Sequence, residues 1–174
     1  DPQFLADLKS LNADLFVVVA FRMLPEVVWQ MPKKGTINLH GSLLPHYRGA
    51  EPINHVIING EKETGVTTFF LKQEIDTGDV IFADSVAISD SETAGDLHDK
   101  LMIVGAKLLV KTVKAIAADD YSEVPQLQSE DLKSAPKIFK EFCKVNWDNT
   151  SQSVYNHIRG LSPYPTAFTV LNDK

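Results

Sequence analysis

The stretch Thr36-Ile37-Asn38-Leu39-His40-Gly41-Ser42-Leu43-Leu44-Pro45 decides how this chain is read. Thr36 to His40 has the character of a strand end, and Gly41 breaks it into a loop. Side chains two apart on a strand point to the same face, so Asn38 and His40 stand side by side. Open α/β sheets keep their ligands outside the carboxyl ends of the strands. An amide beside an imidazole at such an end can hold a carbonyl oxygen while the imidazole moves a proton. The plainer reading is a capping Asn and a solvated His, which needs no ligand.

The neighbouring segments fit an α/β frame. Upstream, Phe4, Leu5, Leu8 and Leu11 recur at helical spacing. Asp14 to Ala20, rich in Val, predicts a strand buried on both faces, as parallel sheets require. Pro25 suits the first position of a short helix to Gln30, which completes a β-α-β unit with Thr36–His40. Downstream, Pro52 opens a helix through Ile58, before Asn59-Gly60. Thr64 to Leu71 and Val80 to Ile88 form a strand pair around an acidic turn. Thr93 followed by Asp96 predicts a capping box. It starts a long helix to about Ala118, with Leu97, Leu101, Val104, Leu108 and Ile116 on its buried side. Asp119 to Pro136 is polar and aperiodic, as a linker would be. Ser153 to Arg159 reads as a short helix packed through Val154, Tyr155 and Ile158 and ended by Gly160. Thr166 to Leu171 reads as a strand.

The acidic turn is Glu74-Ile75-Asp76-Thr77-Gly78-Asp79. A carboxylate at Asp76 can reach a His on the neighbouring strand, fix its tautomer and favour its protonated form. An ordinary Asp-Thr-Gly turn would look the same in sequence.

With 174 residues and 44% hydrophobic content, the chain can bury a core of one domain, or of one domain and part of another. No apolar run approaches the ~20 residues that cross a bilayer. A basic, apolar-cored leader is also lacking, so a cytoplasmic protein is expected. The lone Cys143 excludes an internal disulfide and reads as a buried or semi-buried thiol. The histidines show no His-Glu-x-x-His pattern and no Cys-x-x-Cys accompanies them, so no metal site is expected. His46, His55, His98 and His157 are expected on ordinary surfaces. No Gly-rich phosphate loop is present. Charge is uneven: residues 1–132 hold 11 basic and 20 acidic groups, and residues 133–174 hold 6 and 3. The basic tail, with Lys133, Lys137, Lys140, Lys144 and Arg159, is the better surface for RNA; a solvated charged face is the alternative.

Asn38-Leu39-His40, Ser42 to Gly49 and Asp76-Thr77-Gly78 together resemble the folate-dependent formyltransferase family. Arg48-Gly49-Ala50-Glu51-Pro52-Ile53 and Glu63-Thr64-Gly65-Val66-Thr67 point to the branch that acts on methionyl-initiator tRNA. So do Ala135-Pro136-Lys137-Ile138, Val145-Asn146-Trp147 and Ile158 to Pro165. The resemblance covers nearly the whole chain. It implies an α/β fold: a partial Rossmann-like formyltransferase sheet over residues 1–120 and a linker over 121–135. The start of a small OB-like β-barrel domain would then occupy 136–174. Set against the family, both ends are expected to lie inside a longer protein.

The resemblance also implies the chemistry. The formyl donor would be 10-formyltetrahydrofolate, the acceptor the α-amine of methionine on initiator tRNA, and the protein a monomer. Asn38 would supply the hydrogen-bond donor for the tetrahedral oxyanion, His40 would exchange protons near neutrality, and Asp76 would orient His40 and hold a relay water. Ser42-Leu43-Leu44-Pro45 matches the folate-contacting loop, and Phe21-Arg22-Met23-Leu24 lies where an apolar slot for the pterin should be. Arg22 departs from the Gly-rich, apolar family pattern there. Arg48 is a candidate contact for a substrate phosphate or carboxylate. Two other readings stay open: a formyltransferase acting on an amino-sugar nucleotide or in purine synthesis, and a folate-binding segment without turnover.

Overall fold

In the computed structural model, residues 1–19 and 23–171 are described. Four strands form a mixed sheet: β1 (Phe16–Val18), β2 (Thr36–His40), β4 (Glu63–Phe70) and β5 (Val80–Ala87), in the order β1-β2-β4-β5. β1 and β2 run parallel, joined through the short helix α2 (Glu26–Trp29), as the β-α-β pattern predicts. β4 is antiparallel to both β2 and β5. A second, two-stranded sheet pairs β3 (Arg48–Gly49) in parallel with β6 (Ser134–Ala135).

β1 departs from the expected doubly buried strand. Val17 is 43% and Val19 is 51% exposed. The physical reason is position: among the described residues, β1 lies at the sheet's edge with β2 alone beside it. The preceding helix α1 (Pro2–Ser10) buries none of its own residues.

The core lies under α4 (Ala94–Ala117). Its capping box forms as the sequence predicts, with Thr93 Oγ1 accepting from the Asp96 N–H and the Asp96 carboxylate accepting from the Thr93 N–H. Leu97, Leu101, Leu108 and Ile116 are buried and Val104 packs beside them. Each such side chain contributes about 1.5–3 kcal/mol by leaving water. This stripe meets Val66, Val56 and Ile57, which come from β4 and from α3 (Pro52–Ile58). A buried hydroxyl pair, Thr68 Oγ1 to Thr112 Oγ1 at 2.9 Å, ties β4 to the same helix.

Residues 121–135, expected as a linker, are bonded to the sheet. Val124 exchanges both backbone hydrogen bonds with Val80, each 2.9 Å. Farther on, Lys133 O accepts from Tyr47 N–H, and β6 lies along β3. The chain then makes a 3-10 turn (Lys140–Cys143), which buries Cys143, and helix α5 (Ser151–Gly160).

The helix expected at Ser153–Arg159 is therefore present, but it buries a different face. Tyr155 and Ile158 are 47% and 42% exposed, whereas Asn156, Arg159 and Gly160 are buried. Gly160 permits this: a Cβ there would fall 2.5 Å from Ile58 Cγ1, so only glycine lets α5 press so closely on α3. The strand expected at Thr166–Leu171 is reduced to one bridge between Lys144 and Phe168. Among the described residues, no helix is long and apolar enough to cross a membrane.

Candidate active site

Asn38 and His40 sit at the carboxyl half of β2, and both are buried. The His40 ring is fixed from behind. Its Nε2 lies 2.8 Å from the carbonyl oxygen of Tyr47. A carbonyl oxygen can only accept, so Nε2 carries the proton and Nδ1 holds the free lone pair of the neutral ring. Nδ1 lies 3.7 Å from Asp76 Oδ2. That separation is too long for a hydrogen bond and short enough for an ion pair once Nδ1 is protonated. Tyr47, not Asp76, therefore sets the tautomer, which corrects the expectation drawn from the acidic turn.

Asp76 reaches His40 by a route that the sequence does not reveal. Because β4 is antiparallel to β2, Phe70 pairs with Ile37 and Thr67 with His40. The chain thus leaves β4 three residues below the imidazole, on the order of 10 Å away. The loop 71–79 runs back over that distance. Asp76 adopts φ 55°, and its Oδ2 accepts from Gly49 N–H at 2.9 Å. Gly78 closes the turn, since a Cβ there would fall 1.6 Å from Phe70 O.

Asn38 Oδ1 is buried without a hydrogen-bond partner. An unpaired buried acceptor costs about 1–3 kcal/mol, which a ligand donor would recover. The side chain faces a cleft of roughly 1550 Å³ whose walls include His40, Asp76, Met23, Leu24 and Ile75. Met23 and Leu24 thus line the same cleft as the dyad. Phe21 and Arg22 lie outside the described residues.

Ser42-Leu43-Leu44-Pro45 is placed differently from the other candidates, outside the cleft lining. Ser42 is fully buried and its Oγ donates to His46 O at 2.7 Å. Leu44 N–H donates to Thr67 Oγ1, which in turn donates to Ser42 O at 2.7 Å. The loop is pinned to β4 behind His40.

Other residues take unexpected roles. Arg48 turns its Nε and Nη2 toward Gln126 Oε1 rather than toward the cleft. His55 is buried, not on an ordinary surface, and its Nε2 donates to Pro136 O at 2.9 Å, because residues 135–142 cover that side of α3. His157 is half-buried against Phe142, while His46 and His98 are exposed. Tyr47 also anchors the site through its hydroxyl, which donates to Glu61 and accepts from Asn59 Nδ2. Burial, and then the bond to Glu61, hold that hydroxyl well above its usual ionisation range. Burial alone would raise the Glu61 carboxyl, but hydrogen bonds from Lys133 and Tyr47 outweigh it and hold Glu61 below the ordinary carboxylate range. The groups that sequence reading missed are the Tyr47 carbonyl, the Gly49 N–H and the Gln126 amide. The first two are backbone atoms and carry no residue signature.

By fold this is an α/β protein with its polar cluster beside the carboxyl half of a strand, where such sheets keep their clefts. A family model described as formyl transferase matches residues 1–113, and one described as formyl transferase, C-terminal domain, matches residues 137–174. The chain belongs to the formyl transferase family, and its mixed sheet is that family's Rossmann-like α/β fold. It is 57% identical to a methionyl-tRNA formyltransferase from Azobacteroides pseudotrichonymphae, over 98% of this chain and 54% of that protein. It is 54% identical to one from Bacteroides thetaiotaomicron, over 98% and 54%. The chain spans about half the length of these curated relatives. In fold it is similar to HypX from Aquifex aeolicus in complex with tetrahydrofolic acid (TM-score 0.82, 20% identity, 100% of this chain and 30% of that one). It is also similar to an N-formyltransferase from Helicobacter canadensis in complex with folinic acid and dTDP-3-aminofucose (TM-score 0.76, 26% identity, 91% and 58%).

Proposed function

We propose that the protein carrying this chain transfers the formyl group of 10-formyltetrahydrofolate to the α-amine of methionyl-initiator tRNA, in the cytoplasm. The observation that carries this reading is Asn38: a buried amide with a free acceptor, facing a cleft beside an imidazole whose proton position is fixed. The identity to methionyl-tRNA formyltransferases along nearly the whole chain supports the choice of acceptor.

The geometry supports the following roles. Asn38 holds the formyl oxygen through its NH2 as that oxygen becomes negative, and Oδ1 accepts an N–H of the incoming amine. His40 takes the amine proton at Nδ1, the nitrogen left open by Tyr47. Asp76, 3.7 Å away, stabilises the imidazolium so formed. The proton then returns to N10 of the departing folate. Met23 and Leu24 form an apolar wall for the folate ring, with Phe21 and Arg22 next to them in sequence. Ser42-Leu43-Leu44-Pro45 acts from behind, by keeping His40 and Thr67 in register. Residues 1–120 form the catalytic unit and 121–135 connect it to the start of an OB-like domain at 136–174, a division supported by the two family matches.

The test is formyl transfer by the intact protein to methionyl-tRNA and, in parallel, to a dTDP-linked amino sugar. Transfer to the tRNA alone is expected, and exclusive transfer to the sugar would overturn the acceptor. His40→Ala should lower the rate ~100-fold or more. A variant within about threefold of wild type would remove His40 from the chemistry, because general acid–base help is far larger than that.

A further inference from the structure

Gln126 belongs to neither family match and lies in a stretch of irregular backbone. Its side-chain amide is nonetheless saturated. Nε2 donates to Asp76 O at 2.9 Å and to Gly78 O at 2.7 Å. Oε1 accepts from Arg48 Nε at 3.0 Å and from Arg48 Nη2 at 2.6 Å. A carboxamide has two N–H groups and two lone pairs, and all four are used. The orientation of the amide is forced as well. Only its NH2 can face two carbonyls, and only its oxygen can face a guanidinium.

The two things it joins are the two supports of the acid–base pair. One is the turn that carries Asp76, held at φ 55°. A non-glycine residue in that region costs on the order of 1–3 kcal/mol unless its surroundings hold it there. The Gln126 bonds grip the backbone on both sides of Thr77, where that hold is needed. The other support is β3. Arg48 stands between Tyr47, whose carbonyl fixes His40 Nε2, and Gly49, whose N–H fixes Asp76 Oδ2. Gln126 is itself held in place by the backbone pairing of Val124 with Val80, two residues away.

We propose that Gln126 is a positioning residue that sets the Asp76 turn against β3, and so aligns Asp76 with His40 for proton transfer. The inference rests on the formyl-transfer reading and extends the site into the 119–135 stretch. A spacer has no use for a fully bonded amide under a catalytic turn.

The experiment compares Gln126→Ala and Gln126→Glu in the intact protein, with Gln128→Ala, an exposed neighbour, as control. Glu keeps an acceptor for Arg48 and offers no N–H to the turn, and it matches Gln in size. Two readouts are taken: steady-state formyl transfer, and the imidazole 15N signals of His40 in the folded protein. Both Gln126 variants should lose about 100-fold in kcat, the scale of a misplacement near 1 Å, while KM for folate moves far less. Their His40 signals should shift from the wild-type positions as Asp76 moves away from Nδ1, while the Nε2-protonated pattern set by Tyr47 persists. Gln128→Ala should match wild type in both. A kcat within about threefold of wild type, or a loss confined to KM, overturns the proposal, since misalignment acts on the chemical step. If Gln126→Ala fails to fold, Gln126→Glu decides. If the wild-type protein shows no formyl transfer at all, the functional reading fails, and the His40 spectrum still reports whether Gln126 positions the ring.

Discussion

Arg159 Nη1 lies 2.8 Å from the carbonyl oxygen of Glu92, the residue just before the Thr93 cap of α4. The guanidinium is buried, and its Nε also bonds Asn156 Oδ1 at 2.9 Å. A side chain from the segment matched by the C-terminal family model thus closes the loop that starts the longest helix. Arg159→Met keeps the aliphatic stem and removes the donors. It should lower stability by about 1.5–3 kcal/mol, the scale of hydrogen bonds to a charged group, because the bonds to Glu92 O and Asn156 Oδ1 are lost. Urea denaturation measures this, and an unchanged midpoint would show that packing of the stem is sufficient.

Asp76→Asn separates charge from position. The amide oxygen can still accept from Gly49 N–H, so the turn should survive. The negative charge 3.7 Å from His40 Nδ1 is lost. Formyl transfer should fall ~100-fold, in line with the loss of acid–base help. Retention of the wild-type rate would assign Asp76 a purely structural part.

Gly78→Ala tests the turn from the other side. With Phe70 O 1.6 Å from the added Cβ, the loop must move. Overpacking of this kind costs about 1–3 kcal/mol. Because Asp76 moves with the loop, activity should drop more than the fall in stability explains. Equal, small changes in both would show that the loop adapts without disturbing the carboxylate.

Acidification should loosen the Tyr47 anchor. The Glu61 carboxyl is held below its ordinary range in the folded protein, so its contribution is present above the unfolded value of ~4.3 and is lost as pH falls through the folded value. Lys133→Met removes one of the groups that lower it. The stability gap between wild type and Lys133→Met, measured by denaturant midpoint, should be largest near neutral pH and shrink as the pH falls through the lowered Glu61 value. A gap independent of pH would separate Lys133 from Glu61.

What the sequence discloses here is local. Thr36–His40, the Pro52 helix start and the Thr93–Asp96 box are each set by residues within a few positions of one another, and each forms as read. The pairing of Asn38 with His40 follows from strand alternation alone. What stays hidden depends on partners far along the chain. The face that α5 buries is chosen by Gly160 against Ile58 and by the carbonyls at Ser89 and Glu92, roughly 70 to 100 residues away. Apolar periodicity therefore misplaces Tyr155 and Ile158. The His40 tautomer depends on a main-chain carbonyl, which any residue at position 47 would possess. Asp76 needs a return path that only the antiparallel register makes necessary.

The lashing of residues 119–135 to the sheet bears on how the protein can be cut. On the family matches alone, a protease or a cloning boundary placed just after α4 would cut between two units. It would instead strip away Val124, Gln126 and β6, and with them the outer brace of the Asp76 turn. The two matched regions are therefore poor candidates for exchange as independent blocks. A chimera of two family members should take its junction beyond Ala135, so that the brace and the turn it holds come from one parent.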